Sequence, residues 1–170
     1  MPNPIQVPAG LTTDSLLGRR YVARVIDTVV IGLVVGAAIG LLSSVGPQLE
    51  PGLLRILMYL NVLVLLWIGY GALLESSPWQ ATLGKKVMGL RVYDAGGGRL
   101  KVWQAAGRNF VKDGSLILFE LFPGGRLLSF VWLGAHLVVL HRSPVYQAIH
   151  DHASETWVAA SEATTRLHIT

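Results

Sequence analysis

"RRYVARVIDTVVIGLVVGAAIG", Arg19 to Gly40, decides how this chain is read. From Thr28 the run is apolar through Leu42, and with Tyr21 to Asp27 it reaches about 22 residues, enough for a spanning helix. Its entrance nevertheless carries Arg20, Arg24 and Asp27. An ionisable side chain set into a membrane helix is costly, so it asks for a partner or a purpose. On a helix the three sit at i, i+4 and i+7 and share one stripe, with Arg24 and Asp27 placed to pair. A position near the interface limits the cost, since the ~3 kcal/mol penalty of the helix centre falls toward its ends. Gly32, Gly36 and Gly40 make two Gly-xxx-Gly steps on another stripe. Small-residue faces of this kind let helix backbones approach closely, so these glycines are expected to form a helix-packing face.

Composition agrees with the membrane reading. Of 170 residues, 52% are hydrophobic and 14% charged, well below the roughly 25% charge of ordinary globular chains. Mean hydropathy is +0.51. Cysteine is absent, which excludes disulfides, zinc–thiolate sites and thiol catalysis together. The first twenty residues are Pro-rich and polar without an apolar core, so a signal peptide is not expected.

A second run, "ILMYLNVLVLLWIGYGALL" (Ile56 to Leu74), is apolar apart from Asn61, read as an interhelical hydrogen-bonding residue. A third, "SLILFELFPGGRLLSFVWLGAHLVVL" (Ser115 to Leu140), is broken by Pro123-Gly124-Gly125-Arg126. It is either one kinked helix or two helices turning at the break, and four membrane segments are favoured over three. Glu120 beside that break reads as an interfacial carboxylate or a partner of Arg126. The loop Ser43 to Gly52 has no Lys or Arg, whereas Glu75 to Gly114 has Lys85, Lys86, Arg91, Arg99, Lys101, Arg108 and Lys112. Positive-inside reasoning places the N-terminus and the long loop in the cytoplasm. "VMGLRVYD" (Val87 to Asp94) and "RLKVW" (Arg99 to Trp103) flank "AGGG" and predict a β-hairpin, to which "TWVAA" (Thr156 to Ala160) would add a third strand.

Three stretches resemble the RDD family of small bacterial membrane proteins. "RRYVARVID" is similar to its opening motif, an Arg seven residues before an Asp, here Arg20 and Asp27. "QATLGKKVMGLRVYDAGGGRL" (Gln80 to Leu100) resembles its central signature, and "YQAIHDHASETWV" (Tyr146 to Val158) its tail, which makes Asp151 the second aspartate. The family pattern and a shared side of the membrane lead to the expectation that Arg20, Asp27 and Asp151 meet, two carboxylates around one guanidinium, as a structural clasp or an ion-handling site, with simple interfacial anchoring of these charges as the remaining reading.

The expected fold is a membrane all-α bundle of three to four transmembrane helices with a small cytoplasmic β-hairpin or three-stranded element. A flexible cytoplasmic N-terminus covers 1–18. The membrane domain covers 19–160, with segments at about 21–42, 56–74, 107–122 and 126–140 and a cytoplasmic loop at 75–106. A tail covers 161–170. The expected location is the bacterial inner membrane, multi-pass.

Catalysis and cofactors are not expected. "DAGGGR" lacks the ending of a phosphate loop and reads as a turn, and no Ser–His–Asp spacing argues for nucleophilic catalysis. No metal is expected either: His150 and His152 flank Asp151 at a spacing that points them apart on a helix, and His136, His141 and His168 complete no ligand frame. The basic loop is expected to meet anionic lipid headgroups, at ~1 kcal/mol per residue, rather than nucleic acid. The expected partners are the bilayer and either further copies of the chain or other membrane proteins. The function implied is transport-related or transport-accessory, with a non-transporting membrane scaffold as the alternative.

Overall fold

The computed structural model describes residues 10–13, 16–45, 52–119 and 122–161, without the side chains of 45, 53–61, 64, 116, 117 and 161. Asn61's side chain, Glu120 and His168 therefore lie outside the described residues. The chain is mostly helical with one three-stranded antiparallel sheet.

Helix α1 (Leu17–Val45) contains the one stretch, among the described residues, long and apolar enough to cross a membrane: Leu17–Ser44, mean hydropathy 2.5. Helix α2 (Leu53–Glu75) is 23 residues long, about 34 Å at ~1.5 Å per residue. Helices α4 (Val102–Asn109) and α5 (Ser115–Phe119) join through a π-helical turn, Phe110–Gly114. This unit carries Arg108, Asn109, Lys112 and Asp113 in its middle. Helix α6 (Gly125–Arg142) has His136 inside and His141 and Arg142 in its last turn. The apolar region Ser115 to Leu140 is thus two helices. Gly124, with φ of +80°, turns the chain between them in the left-handed region that favours glycine.

Short helices α3 (Leu83–Val87) and α7 (Ile149–Ala153) flank the sheet. Its order is β1 (Leu11–Thr12), β3 (Thr156–Ser161), β2 (Leu90–Asp94). Alternation sends Leu90, Val92, Val158 and Ala160 into a core shared with Leu16, Ala23, Ala72, Leu100 and Ala105. On the other face Tyr93 stacks on Trp157 at 4.9 Å, in register.

Two sequence expectations change here. The predicted hairpin does not form: Val102 starts a helix, and β2 pairs with β3 instead. The free edge of β2 is taken by Gln80, whose carbonyl accepts from Val92 N–H at 2.7 Å. Asp94 meanwhile caps its own turn, accepting from Gly96 and Gly98 N–H at 3.0 and 2.7 Å. Arg99 to Trp103 therefore has no edge left to join. The stretch expected as a flexible N-terminus, in turn, supplies β1, and Leu16 is 1% exposed in the core.

Candidate functional site

The buried face of α1 is set by a four-residue repeat: Ala23, Asp27, Ile31 and Val35. Asp27 sits against the start of α3. It accepts from Thr82 Oγ1 at 2.6 Å, Gly84 N–H at 2.8 Å and Tyr70 Oη at 2.7 Å. A carboxylate is well placed at a helix start, where backbone N–H groups have no partner inside the helix. Gly84 makes the approach possible, because a Cβ there would lie 2.1 Å from the Ala23 carbonyl oxygen. The spacing Thr82-Leu83-Gly84-Lys85 is accordingly one device. Thr82 caps the helix and holds Asp27, Gly84 clears the space, and Lys85 pairs with Glu75.

Around this clasp runs an alternating chain of charges. Glu75, fully buried, takes Arg108 Nη1 on both oxygens at 2.9 and 2.7 Å, and Asn109 Nδ2 at 3.1 Å. Gly71 leaves room for Asn109, whose side chain would otherwise overlap a Cβ. Arg108 turns its other edge to Asp151 Oδ1, with Nη2 at 2.5 Å and Nε at 3.0 Å. Arg20 reaches Asp151 Oδ2 at 2.6 Å and also donates to the Tyr146 carbonyl. Asp151 further accepts from Ala148 N–H at the start of α7. A second group joins Arg24 and Lys112 on Asp113, and Arg24 lies 5.7 Å from the Trp67 ring centroid.

The environment sets the charge states. Burial works to raise the Asp151 carboxyl, but the charges of Arg108 first, and of Arg20, outweigh it and hold it well below the usual carboxylate range. Burial pushes the His150 imidazole well down, further than the pull of Asp151 offsets, and the charges of Arg108, Lys112 and Arg20 add to the lowering. Lys85 is pushed down to about 7 by burial and by Arg108, against the opposing pull of Glu75.

The expected trio is divided by this geometry. Arg20 and Asp151 meet. Asp27 does not join them, and its three hydrogen bonds all come from neutral donors. Arg24 pairs with Asp113 rather than with Asp27, because the packed stripe of α1 turns Asp27 toward α3. Gly32, Gly36 and Gly40 are exposed, and a Cβ at any of them would meet nothing within 4 Å. The close approach falls at Gly84 and Gly71 instead. Three members of the basic loop, Lys85, Arg108 and Lys112, face buried carboxylates rather than the surface. Lys86, Arg91, Arg99 and Lys101 are exposed, and Lys86 lies 3.3 Å from the Trp79 ring centroid. Sequence reasoning missed Glu75, Thr82, Asn109 and Asp113. Their signal was a carboxylate closing an apolar helix and the polar cluster "RNFVKD" ahead of an apolar run.

A cavity of about 170 Å³ lies against this network, between α1, α6 and α7. His136 and His150 stack at its edge, ring centroids 5.3 Å apart. Among the described residues no group of three or more His, Cys, Asp or Glu side chains could hold a metal ion.

Fold and site together define a mostly helical protein whose ion-pair network is buried at the foot of a long apolar helix. The chain belongs to the RDD family, whose profile matches residues 15–155. An uncharacterized protein of Bacillus subtilis (strain 168), YxaI, is 38% identical over 60 residues, which is 35% of this chain and 40% of that protein. The chain thus matches less than half the length of that relative. No solved structure matches.

Proposed function

We propose that this chain is a multi-pass protein of the bacterial inner membrane, with its N-terminus, sheet, α3 and α7 on the cytoplasmic side, and that it serves transport of a small solute or ion, alone as an oligomer or as an accessory subunit. One observation carries the membrane part: apolar side chains face outward while charges face inward. Val25, Leu33 and Leu41 on α1, and Leu127, Phe130 and Val138 on α6, are exposed, whereas Glu75, Arg108 and Asp151 are at most 1% exposed. That is the arrangement a bilayer demands, since ionisable groups there turn to the bundle interior and pair. The exposed Lys86, Arg91, Arg99 and Lys101 suit a surface of anionic headgroups.

The cavity between helices, apolar over most of its wall and edged by buried charges, supports transport over a packed, dry scaffold. The scaffold reading draws on the uncovered glycine face of α1, which would suit a second copy or another membrane protein. In either case the role is non-enzymatic.

Single cysteines in this cysteine-free chain test the topology. A cysteine at Ser43 should react with an impermeant maleimide in intact cells, and cysteines at Gly97 and Ser143 only after permeabilisation. External labelling at Gly97 would overturn the orientation. Proteoliposomes holding a pH-sensitive dye then test function. Protein-dependent flux of protons, alkali cations or chloride supports transport. Leakage equal to empty vesicles for all three would set aside ion transport by this chain alone.

A further inference from the structure

The cavity against the ion-pair network has unmet chemistry. Trp132 Nε1, His136 Nε2 and His150 Nδ1 are buried and have no hydrogen-bond partner among the described residues. All three residues line the cavity, and the two histidines are 9% and 8% exposed. Buried polar atoms are nearly always paired, so three orphans on one space point to something that fills it. At about 170 Å³ it far exceeds the ~15 Å³ that one water needs.

The orphans specify their complement. Trp132 Nε1–H can only donate. His136 Nδ1 lies 3.1 Å from the Trp132 carbonyl, which only accepts, so the proton is assigned to Nδ1 and Nε2 is left with a lone pair. His150 Nε2 lies 3.4 Å from Asp151 Oδ1, not aimed as a hydrogen bond but close enough for the carboxylate to favour the proton on that nitrogen, which leaves Nδ1 as an acceptor. The occupant must therefore accept one hydrogen bond and donate two.

Charge adds a second requirement. The charged groups lining the cavity are Arg20, Arg24, Lys85, Arg108 and Lys112, and a single carboxylate, Asp27, whose oxygens already take three hydrogen bonds. Counting Glu75, Asp113 and Asp151 behind them, the five cations face four carboxylates, so one positive charge is left over while Lys85 is protonated. Arg24 remains 41% exposed despite its partner, within reach of an incoming anion. The remaining wall is apolar. Leu133 and Leu137 line the cavity and are 51% and 38% exposed, with Tyr21 opposite at 43%. The mouth thus opens on the outward apolar faces of α1 and α6.

We propose that this cavity binds a hydroxyl-bearing phosphate anion of the glycerophosphate type. Its phosphate oxygens answer Trp132 and the cations, and its hydroxyls donate to His136 and His150. When the ligand is a lipid headgroup, its acyl chains leave past Leu133 and Leu137. The site stands whether or not the chain transports anything.

The test uses the full chain, purified in neutral detergent or held in nanodiscs, with tryptophan fluorescence and thermal unfolding as readouts. Dioleoylphosphatidylglycerol should raise the unfolding temperature and perturb fluorescence saturably. It should bind at least tenfold more tightly than dioleoylphosphatidic acid, which lacks the hydroxyls, and phosphatidylcholine should do neither. Trp132→Phe and His136→Phe should each weaken phosphatidylglycerol binding about tenfold. Circular dichroism checks that each folds, and either variant suffices if the other does not. Saturable binding of soluble sn-glycerol 3-phosphate at comparable strength supports the same site and assigns its ligand to the solute pool. Phosphatidic acid matching phosphatidylglycerol, or both variants binding like the parent chain, would overturn the proposal, as would no response to any of these probes.

Discussion

The two aspartates of the family pattern are both buried, and they are satisfied in opposite ways. Asp27 is held by two hydroxyls and one backbone N–H, all neutral. Asp151 is held by two guanidinium groups and a backbone N–H. Each fastens a different pair of elements: Asp27 fixes α1 to α2 and α3, and Asp151 fixes α1 to α4 and α7. The difference predicts different costs of removal. A lost neutral acceptor leaves donors unpaired, whereas a lost counter-ion leaves buried charge.

Asp151→Ala should therefore be the most damaging change. Arg108 is 1% exposed and would keep Glu75 as its one counter-ion, shared with Lys85 and Asn109, beside the neutral Thr156 hydroxyl. Breaking a buried pair by removing one partner costs about 3–5 kcal/mol. Unfolding in detergent micelles measures it, and a loss under ~1 kcal/mol would mean that water or lipid reaches Arg108. Asp27→Ala should cost less, about 1–3 kcal/mol, the penalty of unpaired donors. If the two losses came out equal, the distinction between neutral and ionic fastening would fail.

Gly84→Ala tests the Asp27 clasp from its other side. The new methyl would lie 2.1 Å from the Ala23 carbonyl oxygen and 3.0 Å from Asp27 Cγ. Both belong to a helix that cannot shift without moving the rest of the site. Overpacking of this kind costs about 1–3 kcal/mol. Asp27→Ala and Gly84→Ala act on one contact, so together they should cost less than the sum of the two. Full additivity would show that they act separately.

These contacts mark how far the sequence could be read. Arg20 meeting Asp151 was legible because the family pattern ties a tail aspartate to the opening arginine. The partner of Asp27 was not, because it depends on α3 packing beside α1, a tertiary fact that spacing along either helix does not contain. The turn Asp94-Ala95-Gly96-Gly97-Gly98 looked like a hairpin turn, and locally it is a turn. What failed was the inference that the chain must return as a strand, since Gln80 already occupied that edge. The third strand, expected at Thr156 to Ala160, forms and runs one residue further, to Ser161, while its neighbour Leu11–Thr12 is too short to show any period.

Acid should act on the Asp151 side. His150 is held neutral in the folded chain by burial and by Arg108, while in the unfolded chain it takes up a proton below its ordinary pKa of ~6.5. The unfolded state then holds more protons, so stability falls as pH drops through that value. The slope is at most ~1.4 kcal/mol per pH unit for one proton. Asp151, whose folded pKa is depressed, adds a loss of the same sign at lower pH, once the unfolded carboxyl protonates. Unfolding curves between pH 7 and about 5 should show the first loss, and His150→Gln should flatten it. An equal slope in the variant would place the titration elsewhere.

The smallest effect belongs to the glycines that looked most purposeful. Gly-xxx-Gly spacing identifies a face that permits close packing, but it does not say that a helix of the same chain takes it up. On α1 the packed face is the one bearing Ala23, Asp27, Ile31 and Val35, and Gly36 looks away, so that a methyl group added there would meet nothing within 4 Å. Gly36→Ala should therefore change the stability of the single chain by no more than ~0.5 kcal/mol, the range of substitutions away from packed features. A gain is also consistent, since alanine is the better helix former. A loss like that of Gly84→Ala, especially one that shrinks on dilution, would mean that a second copy covers this face in the membrane. The uncovered glycines would then be the interface of an oligomer.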